Sequence, residues 1–236
     1  LLWLTTLAGF MLLKAANLGV EQHKTADSVL FAFALLAGAA VYRMLAYLPE
    51  ITPYPFTLDW SEASRYYYAS LYFSRQIYGF DLSPSVLHPS RYLMQALPFL
   101  LPGSPLWLHR LWQVLLWITV TTLTSWLLAR RLNLPDPYKR WALIAWAFLF
   151  LLLGPVYYHL QVPVIIVLAG FRKERFWLSM ASVLAASLWA GISRINWFPV
   201  PGMLAAALYL LEAPLNGRSI RRCLLPPAAW GLRGTL

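Results

Sequence analysis

The residues best placed to do chemistry lie in the stretch Thr57-Leu58-Asp59-Trp60-Ser61-Glu62-Ala63-Ser64-Arg65-Tyr66-Tyr67-Tyr68. Charge is scarce in this chain, yet Asp59, Glu62 and Arg65 stand directly ahead of a tyrosine-rich run. A carboxylate held partly out of water binds its proton more tightly and becomes a useful base for a hydroxyl. The plainer alternative is helix capping, in which Asp59 or Ser61 accepts from free backbone N–H groups and Glu62 favours the helix dipole. Both readings stand for Glu62. Asp59 follows an apolar, proline-rich lead and is read as the base. A second candidate is Gly191-Ile192-Ser193-Arg194-Ile195-Asn196-Trp197, where a guanidinium and an amide share a tight turn. Arginine there can hold a phosphate through two parallel hydrogen bonds, or simply anchor the turn. His88 and His159 belong to no metal-ligand spacing and read as makers of structural hydrogen bonds. His159 carries more interest, because Tyr157-Tyr158-His159-Leu160-Gln161 is a polar break between apolar runs. No Walker, Gly-x-Gly-x-x-Gly, Cys-x-x-Cys or Gly-x-Ser-x-Gly motif occurs.

The elements that must position these groups are apolar helices. Of 236 residues, 60% are hydrophobic and only 12% charged, and the mean hydropathy is +0.57. A soluble domain carries about twice that charge fraction. Apolar stretches of about 20 residues recur, which is the pattern of an all-α, polytopic membrane bundle. The net charge of +10 does not indicate nucleic acid, since the basic residues form short clusters between apolar segments. Cys223 is the one cysteine, so no disulfide forms within the chain. Spans are expected at 1–20, at 28–48 with Asp27 or Ser28 as N-cap, at 104–128, 176–192 and 198–211. Two shorter runs, 141–154 and 156–170, are expected to flank the polar break, interrupted by Pro155, His159 and Pro163. Residues 49–105 form the longest segment outside the spans. It holds a juxtamembrane helix over 61–78, stopped by Gly79, and a short apolar helix over 89–101 that dips into the bilayer. The chain is one transmembrane domain, read as part of a longer protein because it lacks an initiator Met and ends as another apolar segment begins.

Lys24 and the clusters 130–140, 172–175 and 218–222 fall on one side if every apolar run crosses, and the positive-inside rule makes that side cytoplasmic. Loop 49–105, the 154–161 break and the 193–197 turn then share the outer face. Arg65, Arg75, Arg91, Arg110 and Arg194 lie there against the usual bias, each able to reach lipid phosphates. Tyr66, Tyr67, Tyr68, Tyr72, Phe73 and Tyr78 read as interfacial anchors that can floor a site open to lipid.

With this topology the chain resembles the GT-C superfamily of polytopic glycosyltransferases. The likeness rests on a spanning helix, a long outer loop with early acids (Asp59, Glu62) and an amphipathic juxtamembrane helix over 63–78. It extends to His88-Pro-Ser-Arg-Tyr-Leu-Met-Gln95 and to His109-Arg110-Leu-Trp-Gln113 at the start of a long span. The resemblance implies an inverting sugar transfer from a polyprenyl-phosphate donor on the outer side of the cytoplasmic membrane. The acceptor would be activated by the first-loop acid, here Asp59 with Glu62 second. Some members of the family hold a divalent metal (Mg or Mn) on such acids. The donor phosphate would be held by Arg91 and Arg194, and substrate by Arg65, Tyr66, His88, His159, Gln161 and Asn196. The expected partners are the lipid donor, membrane lipids and a membrane protein complex, not nucleic acid. The adjacent Asp-Glu pair of some branches is replaced here by two acids with two residues between them. Two other classes fit the composition: a non-catalytic lipid- or pigment-binding subunit of a larger complex, and a transporter with broken helices around His159. Against the transporter, the chain has no paired interruptions in two halves.

Overall fold

Proline, glycine and one aspartate set where the helices begin and end. In the computed structural model, which describes residues 7–8, 11–12, 24–54, 62–154 and 156–212, every element is helical. Helix α1 (Lys24–Leu45) leads through a 3-10 turn (Leu48–Glu50) toward α2 (Glu62–Ser70), the 3-10 turn Leu71–Phe73 and α3 (Ser74–Tyr78). Then follow α4 (Pro89–Gln95), a 3-10 turn (Leu97–Leu100), α5 (Leu106–Leu132) and α6 (Pro137–Leu152). The chain continues as α7 (Tyr158–Gly170), α8 (Phe176–Ser193), a 3-10 turn (Ile195–Trp197) and α9 (Val200–Glu212).

Helix α5 has neither glycine nor proline and runs 27 residues until Asn133 turns left-handed at φ 46°. Arg130 and Arg131 stand in its last turn, where cations complement the helix dipole. Asp136 caps α6, its carboxylate accepting from the backbone N–H of Tyr138 at 2.8 Å and of Lys139 at 3.3 Å, with Pro137 at the first position. Stretches within α1, α5 and α8 are long and apolar enough to cross a membrane. These are the attributes of a membrane protein.

The helices pack side by side in a different order from the sequence: α1 on α6, α6 on α5, α5 on α7, α7 on α8, and α8 on α9. Two ends result. At the basic end, Arg131 of α5 donates to the carbonyls of Leu168 and Phe171 after α7 and to the Glu212 carboxylate of α9 at 2.7 Å. Leu127, Val167, Phe171, Val183 and Leu208 pack beneath it. At the loop end, α4 touches α5, α7 and α8. Helix α7 runs from its contact with α4 at the loop end to Arg131 at the basic end.

Proline at position 163 should break α7, because it cannot donate to the carbonyl of His159 four residues back. The helix continues, and the indole N–H of Trp189 on α8 donates to that freed carbonyl at 2.8 Å. A polar backbone group inside an apolar bundle is thus satisfied by a neighbouring helix. At the other end of α7 the contact with α8 is so close that a Cβ on Gly170 would lie 2.1 Å from the Ser182 hydroxyl. Trp189→Phe keeps the ring and loses the donor. It should cost about 1–2 kcal/mol, read as a lower unfolding temperature in detergent, and an unchanged temperature would contradict the bond's role.

Several boundaries differ from expectation. Helix α1 starts at Lys24, so Asp27 and Ser28 lie inside its first turns and do not cap it. The expected helix over 61–78 is three pieces, with a 3-10 step at Leu71–Phe73; Gly79 ends the last piece in the left-handed region at φ 81°. The helix expected over 89–101 changes to 3-10 form at Leu97, next to Pro98. The expected span 1–20 lies largely outside the described residues.

Candidate functional site

Tyr157 is the hub of the loop end. It caps the start of α7, and its ring takes two guanidinium groups: Arg91 of α4 at 5.9 Å and Arg194 after α8 at 5.8 Å. The same ring stacks on His159 at 5.8 Å with planes only 13° apart. Both arginines are half-buried, the Nε of each is buried without a hydrogen-bond partner, and neither forms an ion pair with a described residue. Converging like charges repel, so an arrangement like this has the charge and geometry to suit an anion.

His88 closes one side. It is a non-glycine residue at φ 54°, directly before Pro89, which opens α4. The left-handed region is sparsely used by such residues and its cost is commonly tolerated at functional positions. Here it swings the imidazole toward α8, where Nδ1–H donates to the Ser193 carbonyl at 2.9 Å. The Ser90 and Ser193 hydroxyls also bond to each other, tying α4 to α8. The His88 and His159 rings lie 6.4 Å apart, and Arg91 and Arg194 are within electrostatic reach of His159. The expected structural hydrogen bond holds for His88. It fails for His159, which is 2% exposed with neither ring nitrogen bonded.

Beside this cluster runs a second one. Tyr158 is buried within electrostatic reach of Arg91 and Arg65. Arg65 is itself buried on α2, one turn after Glu62. Glu62 is bound by Arg110 with both oxygens, Oε1 from Nε at 2.7 Å and Oε2 from Nη2 at 2.9 Å. Arg110 is fully buried and also donates to the carbonyls of Thr52 and Tyr54. It thus joins the chain leaving α1 to the start of α2 and the start of α5. The expected reach of Arg110 to lipid phosphates is not observed. Tyr66 packs on His109 at 5.4 Å; burial first, then the Glu62 carboxylate, pushes its phenol pKa up, so it remains neutral.

The residues expected to form the site divide accordingly. Arg91, Arg194, His88 and His159 come together, with Arg65 behind Tyr158. Glu62 and Tyr66 belong to the neighbouring Arg110 cluster. Asn196 is exposed and lines a cleft of about 410 Å³ between Val86–His88 and the turn after α8. Gln161 is turned into the bundle, where its amide donates to the Val156 carbonyl at 3.0 Å and to Thr121 at 3.4 Å. Asp59 lies outside the described residues. A divalent ion fits Glu62 poorly, because both oxygens already accept from a guanidinium, and no group of three His, Cys, Asp or Glu occurs among the described residues. Sequence reasoning missed Tyr157 as the hub and Arg110 as an ion-pair partner. Tyr157 stood in the polar break already singled out; nothing local marks Arg110, whose partner is 48 residues away. No family model matches the chain, and neither do the curated proteins or the solved structures compared with it.

Proposed function

We propose that the protein is an integral membrane glycosyltransferase that moves a sugar from a polyprenyl-phosphate donor to an acceptor hydroxyl, with its site at the loop end on the outer face. The observation that carries this is the convergence of Arg91 and Arg194 on the Tyr157 ring, with neither paired to an acid among the described residues. Two forked cations suit a phosphate better than a carboxylate-sized single charge. The rim of the adjoining cleft is apolar, with Val86 93% and Ile195 82% exposed, which suits a phosphate carried on an isoprenoid chain.

In the proposed reaction the acceptor oxygen attacks the sugar C1 and forms the new C1–O bond. The C1–O bond to phosphate breaks, its electron pair leaves on the phosphate, and Arg91 and Arg194 stabilise that growing charge. The acceptor proton passes to the Asp59 carboxylate. The donor is already activated, so positioning supplies much of the remaining rate. Glu62 is assigned a positioning role: its ion pair with Arg110 anchors α2, and Asp59 stands three positions before it, about 11 Å at full stretch.

Asp59→Asn should abolish transfer, with unfolding temperature unchanged, when the whole chain is assayed with a polyprenyl-phosphate sugar. Full activity in that variant removes the proposed base.

A further inference from the structure

A second amphipathic cleft opens at the opposite, basic end. It measures about 670 Å³ and lies between the last turns of α5, α7 and α9. Its walls are leucines, among them Leu127, Leu168 and Leu208, and its rim carries Arg130, Arg131, Arg172 and Lys173. The one carboxylate in the lining, Glu212, is held by Arg131 at 2.7 Å. That leaves three cations. Arg130 lies over the Trp126 ring at 5.4 Å, Arg172 is exposed, and Lys173 has the exposed Glu174 carboxylate at 3.8 Å. An exposed pair at that distance contributes little. Lys173 also donates to the Glu212 backbone carbonyl at 3.0 Å, which holds its ammonium over the cleft rather than out in water.

We infer that this cleft binds the phosphate headgroup of an anionic phospholipid, its acyl chains lying along the leucine walls. Charge complementarity selects an anionic lipid over a zwitterionic one, because the rim has surplus positive charge and its acid is already paired. The apolar walls select a lipid over a free anion. The inference does not depend on the sugar-transfer proposal, since the two sites lie at opposite ends of the bundle.

The test is native mass spectrometry of the whole chain in a neutral detergent, titrated with phosphatidylglycerol or phosphatidylcholine. Wild type should retain phosphatidylglycerol preferentially. Each basic residue beside an anionic headgroup is worth roughly fivefold in affinity, so Arg172→Gln/Lys173→Gln should weaken retention roughly twenty-five-fold. Arg130→Gln, on the opposite wall, should weaken it roughly fivefold by the same reckoning. Arg75→Gln, an exposed cation of the 49–105 segment, should leave it unchanged. Equal retention of the two lipids, or phosphatidylglycerol held as well by both basic-end variants as by wild type, would overturn the assignment. Displacement by millimolar inorganic phosphate would make this a free-anion site and overturn the lipid assignment as well.

Discussion

Arg194→Gln should slow glycosyl transfer by roughly a hundredfold or more, the usual cost of removing one preorganised donor from a developing negative charge. The guanidinium stands over the Tyr157 ring beside Arg91, with its Nε buried and unpaired, so it is already oriented before any ligand arrives. Glutamine keeps hydrogen-bonding capacity and loses the charge. The loss should fall on kcat, because charge on the phosphate grows as the C1–O bond breaks and is largest in the transition state. Arg194→Lys should recover part of it: the charge returns, the planar fork does not. Steady-state kinetics separates the outcomes. A raised KM with unchanged kcat would make Arg194 a ground-state anchor only.

Arg110→Met should be the most destabilising single change in the loop end, at about 3–5 kcal/mol. Arg110 is fully buried, and removing it leaves the buried Glu62 carboxylate unpaired and the Thr52 and Tyr54 carbonyls without their donor. The double variant Arg110→Met/Glu62→Leu should recover most of the loss, because the uncompensated charge goes with its partner. Denaturation in detergent measures both. If the double variant is no more stable than Arg110→Met, the ion pair is not what holds these segments.

Much of the helical layout was legible from composition. Long apolar runs, punctuated by Pro137, Gly79 and the basic turns, identify the helices and their alternation, because burial in lipid imposes the same length and polarity on each. The joints were less legible. Pro163 reads as a break, yet α7 runs through it because Trp189, 26 positions on, takes the freed carbonyl. Asp27 reads as a cap, yet α1 begins earlier. The site was legible in part. Arg91, Arg194, His88 and His159 could each be singled out by charge or polarity in an apolar setting. What assembles Arg91, Arg194 and His159 is one aromatic ring, Tyr157, and a tyrosine among thirteen carries no local mark of that role. Glu62 and Arg110 are the converse case: Glu62 reads as a second acid and Arg110 as a lipid-facing cation, yet the two are bound to each other.

The central claim is that the loop-end guanidinium groups hold a lipid-borne phosphate. Binding of a short-chain polyprenyl phosphate to the whole chain, by native mass spectrometry in neutral detergent, tests it most directly. With the basic-end cleft disabled by Arg172→Gln/Lys173→Gln, the chain should bind the phosphate and not the matching polyprenol, and adding Arg91→Gln/Arg194→Gln should abolish that binding. Polyprenol held as tightly as its phosphate, or the quadruple variant retaining the phosphate at undiminished affinity, would contradict the account.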